Sequence, residues 1–194
     1  MAIDKFDTKE KIILEAMEII GKQVNMNVTI REIAKKANVN LASINYYFRS
    51  KDNLFNEVER QFADKLQRIY DILSDNELQL KDRLTLWAES LMQYLIEYPG
   101  IMFMWGQGVI VSKKNGGIVG KLISNSEKTI EKIIANLTKI NNPELTSFKV
   151  MQLLSGIINP AILYQVAGEN ININIIDKEI RKRYITFLIN TLLV

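Results

Sequence analysis

Apolar side chains recur every three or four residues along almost the whole chain, which is the spacing of one face of an α-helix. The first such stripe is Ile12, Ile13, Ala16, Ile19 and Ile20, with Thr8 placed to cap it and the polar stretch GKQVNMN following. Thr29 and Glu32 then stand at capping-box spacing around Ile30, ahead of Ile33, Ala34 and Ala37, and predict a short second helix. Asn38 tolerates the left-handed backbone that ends such a helix, and Asn40 can cap a third. Ser50 or Asp52 starts a long fourth helix, with Leu54, Phe55, Val58, Phe62, Leu66 and Ile69 on one side and an end near Asp75. Further helices are predicted over roughly 78–98, 100–113, 118–140, 143–167 and 176–193. No β-branched alternating run bounded by turns occurs, so the expected class is all-α.

The second and third helices are short and separated by a turn of only a few residues. That spacing fits the helix-turn-helix plan, in which the second helix enters the DNA major groove, and equally an ordinary corner between two helices. The expected organisation is an N-terminal three-helix unit over about 1–51, joined to a larger helical body over about 52–194.

With 194 residues, of which 47% are hydrophobic, the chain can bury a sizeable core. It contains neither cysteine nor histidine. Disulfides, thiolate metal sites and histidine-based catalysis are therefore excluded, and no pair of carboxylates stands at acid–base spacing. No catalytic residue, metal ligand or cofactor is expected. The N-terminus is charged, and the apolar run from Ile101 to Val111 is short and interrupted by glycine, so a cytoplasmic protein without a membrane span is expected. The net charge of +3 is small, and nucleic-acid binding would depend on a local basic face.

The stretch VTIREIAKKANVNLASINYYFRSKDNLFNEV, Val28 to Val58, resembles the DNA-binding region of TetR-family transcriptional regulators. The likeness runs through Thr29, Ile33, Ala34, Ala37, Val39, Tyr47, Phe48, Lys51 and Leu54, and covers about the first 60 residues. Three positions depart from the usual pattern: Asn38 and Ala42 replace glycines, and Asn45 replaces the first tyrosine of the aromatic run.

The residues can also be read by themselves. At about 100° per residue, Ile44 and Phe48 point inward, while Ala42, Ser43, Asn45 and Tyr46 point out. Small Ala42 permits close approach to base edges, Asn45 can pair with adenine, and Ser43 and Tyr46 can donate to phosphate or base oxygens. Asn40 belongs to the same turn. The helical wheel sets Leu41 near the core edge, whereas the resemblance implies groove exposure against a thymine methyl. Thr29, Arg31, Tyr47 and Lys51 are placed to hold phosphate; taken one at a time they read equally as a cap, solvated charges and a half-buried ring.

The resemblance further implies a homodimer on a double-stranded DNA operator, with the last two helices pairing across a twofold axis. Leu154, Ile157, Ile158, Tyr184 and Leu188 are the candidate interface residues, with burial inside the protomer as the alternative. It also implies a pocket for a small lipophilic or aromatic effector. Trp87, Met92, Tyr94, Met102, Phe103 and Trp105 are the candidate lining. The expected function is a repressor released by its effector through the shared fourth helix. Activation, response to a protein partner, or a helical carrier or enzyme are the alternatives.

Overall fold

The computed structural model of the chain describes residues 8–22, 28–102, 117–168 and 172–194. Its helices are α1 (Thr8–Lys22), α2 (Ile30–Lys36), α3 (Leu41–Phe48), α4 (Lys51–Asp71), α5 (Leu80–Glu97), α6 (Gly117–Thr138), α7 (Pro143–Ala167) and α8 (Lys178–Leu192), with a 3₁₀ turn at Ile72–Ser74. No strand occurs among the described residues, and the all-α reading holds. The helix expected over about 100–113 starts at Gly100, and beyond Met102 that expectation lies outside the described residues.

Local chemistry sets the boundaries. Thr29 caps α2 reciprocally with Glu32, Asn40 caps α3, and Ser50, not Asp52, caps α4 by accepting from the Asn53 backbone N–H at 3.1 Å. Asn142 caps α7, whose first residue is Pro143, where a missing N–H costs nothing. Asn38 is left-handed at φ 52°, as its place in the turn requires.

One apolar core runs through the chain. α4 packs against α1 and α3 as well as α5 and α6, so it belongs to both the N-terminal unit and the body. Its Leu54, Val58 and Phe62 are fully buried, each contributing about 1.5–3 kcal/mol of hydrophobic stabilisation. In the body, α7 packs on α5, α6 and α8. Gly156 of α7 lies under the Leu188 side chain, and the Tyr184 hydroxyl donates to the Gly156 carbonyl at 2.7 Å. In the first turn of α8 the buried Arg181 guanidinium donates to the carbonyls of Ile175 and Ile176 at 3.0 and 2.9 Å and to Gln93 Oε1 at 3.3 Å, tying the segment ahead of the helix to α5.

One helix, α7 with 25 residues, is long and apolar enough by length and composition to cross a bilayer, and one expectation needs correction here. Here Val150, Leu153, Ile157 and Ala161 of α7 are buried in the core. Ile157, read from the sequence as an interface residue, is completely covered by its own protomer, and Leu188 and Tyr184 are spent largely on the α7–α8 contact. The side chains of these helices left open are Phe148, Met151, Ile162, Leu163 and Val166 on α7 and Phe187 on α8.

Candidate nucleic-acid interface

The start of α2 is a closed capping box. Glu32 accepts from the Thr29 backbone N–H at 2.7 Å and from its hydroxyl at 2.8 Å, while Thr29 Oγ1 accepts from the Glu32 N–H at 3.2 Å. These bonds, the backbone one foremost, hold the Glu32 carboxyl below its ordinary range. Thr29 is thereby engaged as a cap, and the exposed Arg31 one turn position on is the cationic group that α2 presents there.

α3 divides its side chains cleanly. Ile44 and Phe48 are buried at 1% and 5% exposure and fix the helix to the core. Ala42 and Asn45 are exposed, and Tyr46 stands out at 79%. Leu41, on which wheel and resemblance disagreed, is 41% exposed and belongs to the open side. Asn40 Oδ1 accepts from the Ser43 backbone at 2.7 Å and from its hydroxyl at 2.9 Å, so both residues are partly occupied in building the first turn of α3. The aromatic run forms a graded series: Tyr46 meets Tyr47 edge-on at 5.1 Å, and Tyr47, half-exposed, meets buried Phe48 at 6.4 Å.

The corner between α3 and α4 was not legible beforehand. Arg49 closes α3 at φ 64°, a left-handed conformation unusual for a residue with a long side chain, and Asn53 Nδ2 donates to the Phe48 carbonyl at 2.9 Å. The Lys51 ammonium lies 4.8 Å over the Phe55 ring. The exposed Arg49 thus joins Lys51 in a basic pair at the end of α3, a pair visible in the sequence only as the charges of FRSKD.

In the body the aromatic and methionine-rich candidates separate. Trp87 and Met92 are fully buried, and Tyr94, whose hydroxyl donates to the Phe62 carbonyl at 3.0 Å, is core as well; burial pushes that phenol well up from its usual value. Met102 lines a cavity of about 110 Å³ together with Leu66, Tyr70, Leu95 and Ile101. Phe103 and Trp105 lie outside the described residues.

The family described as bacterial regulatory proteins, tetR family, matches residues 12–58, from within α1 through α2 and α3 to the first turns of α4. That likeness is confined to about the N-terminal quarter of the chain. Over 72 residues it is 33% identical to the probable HTH-type transcriptional regulator YttP of Bacillus subtilis (strain 168), covering 37% of this chain and 35% of that one. Over 64 residues it is 39% identical to the HTH-type transcriptional dual regulator CecR of Shigella flexneri, covering 33% and 28%. The match therefore spans about a third of these relatives. A TetR transcriptional regulator from Legionella pneumophila shares the fold over 97% of this chain and 99% of its own, with a TM-score of 0.67 at 19% identity. The all-helical fold is shared with that structure, and both sequence relatives are named as transcriptional regulators.

Proposed function

We propose that this chain is a TetR-family regulator: a cytoplasmic, homodimeric DNA-binding transcriptional regulator, acting as a repressor that a small lipophilic effector releases from a palindromic operator. The observation that carries the reading is the division of α3: Ile44 and Phe48 lock it to the core while Leu41, Ala42, Asn45 and Tyr46 are left for a groove. Arg31, Tyr47, Arg49 and Lys51 flank this surface and supply phosphate contacts. One α3 reads few base pairs, so two must act together about 34–36 Å apart or a multiple of that spacing. The open apolar side chains Phe148 and Val166 of α7 and Phe187 of α8 suit the required pairing.

Selection of double-stranded sites from a random DNA pool tests the reading. The parent chain should enrich a site with twofold symmetry. Asn45→Ala and Tyr46→Ala should change the enriched sequence more than the affinity. Absence of any enriched site rejects DNA readout, and identical profiles for parent and variants reject these two residues as its source. Activation is the second reading, since one relative is named a dual regulator; transcription of a reporter behind the selected site separates the two.

A further inference from the structure

Two spaces in the body meet at one side chain. The first is the apolar chamber of about 110 Å³ among α4, α5 and α6, lined by Leu66, Tyr70, Leu95, Ile101, Met102 and Ile123. The second is an open groove of about 750 Å³ between α6 and α7, where Met151 and Ile162 face Glu131 and Ser147. Glu127, Leu154 and Ile158 line both, so they stand where one passes into the other.

The charges there have one sign. Glu127 and Glu131 lie one helical turn apart on α6, and none of the described residues lining either space is basic. Glu131 accepts from the Ser147 hydroxyl at 3.0 Å. Glu127 has neither an ion pair nor a hydrogen bond among the described residues. Its field reaches inward: the Tyr70 phenol is held well above its usual value by burial first and by the negative charge of Glu127 second. An unpaired carboxylate on the rim of an apolar space repels anions and attracts a cation whose own desolvation it offsets. The chamber itself is about the size that takes one ring or a short alkyl group.

We propose that the body binds an amphipathic monocation, its charge set against Glu127 in the groove and one apolar arm seated in the chamber beside Tyr70. This rests on the reading of the body as an effector domain and adds the charge of the effector and the residue that selects it. It also relocates the expected lining, from Trp87, Met92 and Tyr94 in the core to the contact of α4, α5, α6 and α7.

Tetraphenylphosphonium and tetraphenylborate, alike in shape and opposite in charge, are the probes, titrated calorimetrically into the full chain. The cation should bind at least about tenfold more tightly than the anion, and Glu127→Gln should remove about that factor for the cation alone. Glu127 is exposed, so this variant folds as the parent does. Equal affinities, a preference for the anion, no binding of the cation, or an unchanged cation affinity in Glu127→Gln each overturn the proposal. Adding the probes to the complex with a selected DNA site separates it from the reading beneath. Glu127-dependent binding without loss of DNA affinity keeps the cation site and rejects its effector role; release of DNA by an uncharged ligand where the cation does not bind does the reverse.

Discussion

The Tyr98 ring, just past the end of α5, lies directly against Gly21 in the last turn of α1: a methyl group on Gly21 would stand 2.6 Å from Tyr98 Cδ1 and 3.1 Å from Phe62 Cζ. The first helix thus meets the body where there is no room for a side chain. Phe62 and Tyr98 meet edge-on at 5.8 Å, and the Lys65 ammonium lies 4.8 Å over the Tyr98 ring, so Tyr98 has little freedom to yield. Gly21→Ala should lose about 1–3 kcal/mol of stability to overpacking, more than the roughly 1 kcal/mol that alanine gains in a helix. Thermal unfolding checks this. Tyr98→Leu in the same background should recover part of the loss, and an undiminished loss would clear the ring of blame.

Lys51 and Tyr47 flank α3 with different charge, and the salt dependence of DNA affinity tells their proposed roles apart. Lys51→Ala should lower the slope of log affinity against log salt by about one, because one fewer counterion is released. Tyr47→Phe should weaken binding about tenfold on every sequence with the slope unchanged, having lost one hydrogen bond to an anionic oxygen. An anisotropy titration at several salt concentrations measures both.

Phe187→Glu and Val166→Glu should yield monomers by light scattering with the helical circular dichroism intact, because both side chains are open in the protomer at 68% and 76%. Ile157→Asn should instead lower stability by about 3 kcal/mol or more, since it exchanges a fully covered apolar group for a buried polar one. Dimers that survive both glutamates would move the interface to another face.

The α2 cap carries a pH signature. The folded-state Glu32 carboxyl is held below its ordinary value by the Thr29 N–H and hydroxyl. Its contribution is therefore present above the unfolded carboxylate range and is lost as pH falls through that range and through the lowered folded value. Urea midpoints measured from neutral pH downward should fall less in Glu32→Gln than in the parent across this window. Parallel curves would remove Glu32 from the acid response.

The N-terminal helices were legible because their ends are written in side chains that act locally: Thr29 with Glu32, Asn38 at the turn, and Asn40 ahead of Ser43 need no distant partner. Periodicity likewise placed Ile44 and Phe48 inward. It could not say what an apolar face meets. Ile157 read as an interface residue with burial as the alternative, and only the packing of α7 on α5, α6 and α8 covers it while leaving Phe148 open. Trp87 and Met92 looked like pocket lining because aromatic and methionine side chains suit both a ligand wall and a core. Glu127 carried no signal at all, since its significance comes from a space enclosed by residues far apart in sequence.

Under the proposed function, the corner at Arg49 and Ser50 governs how two copies would read one duplex. Asn53 pins the last carbonyl of α3 to the first turn of α4, so the two helices turn as one piece. The 21 residues of α4 span about 31 Å, and a tilt of about 6° about its far end carries α3 through about 3 Å. That is close to the rise of one base pair, about 3.4 Å. In a symmetric pair both reading heads shift at once, so a rearrangement no larger than the repacking of a few core side chains at the far end of α4 suffices to put them out of step with the turn of the double helix.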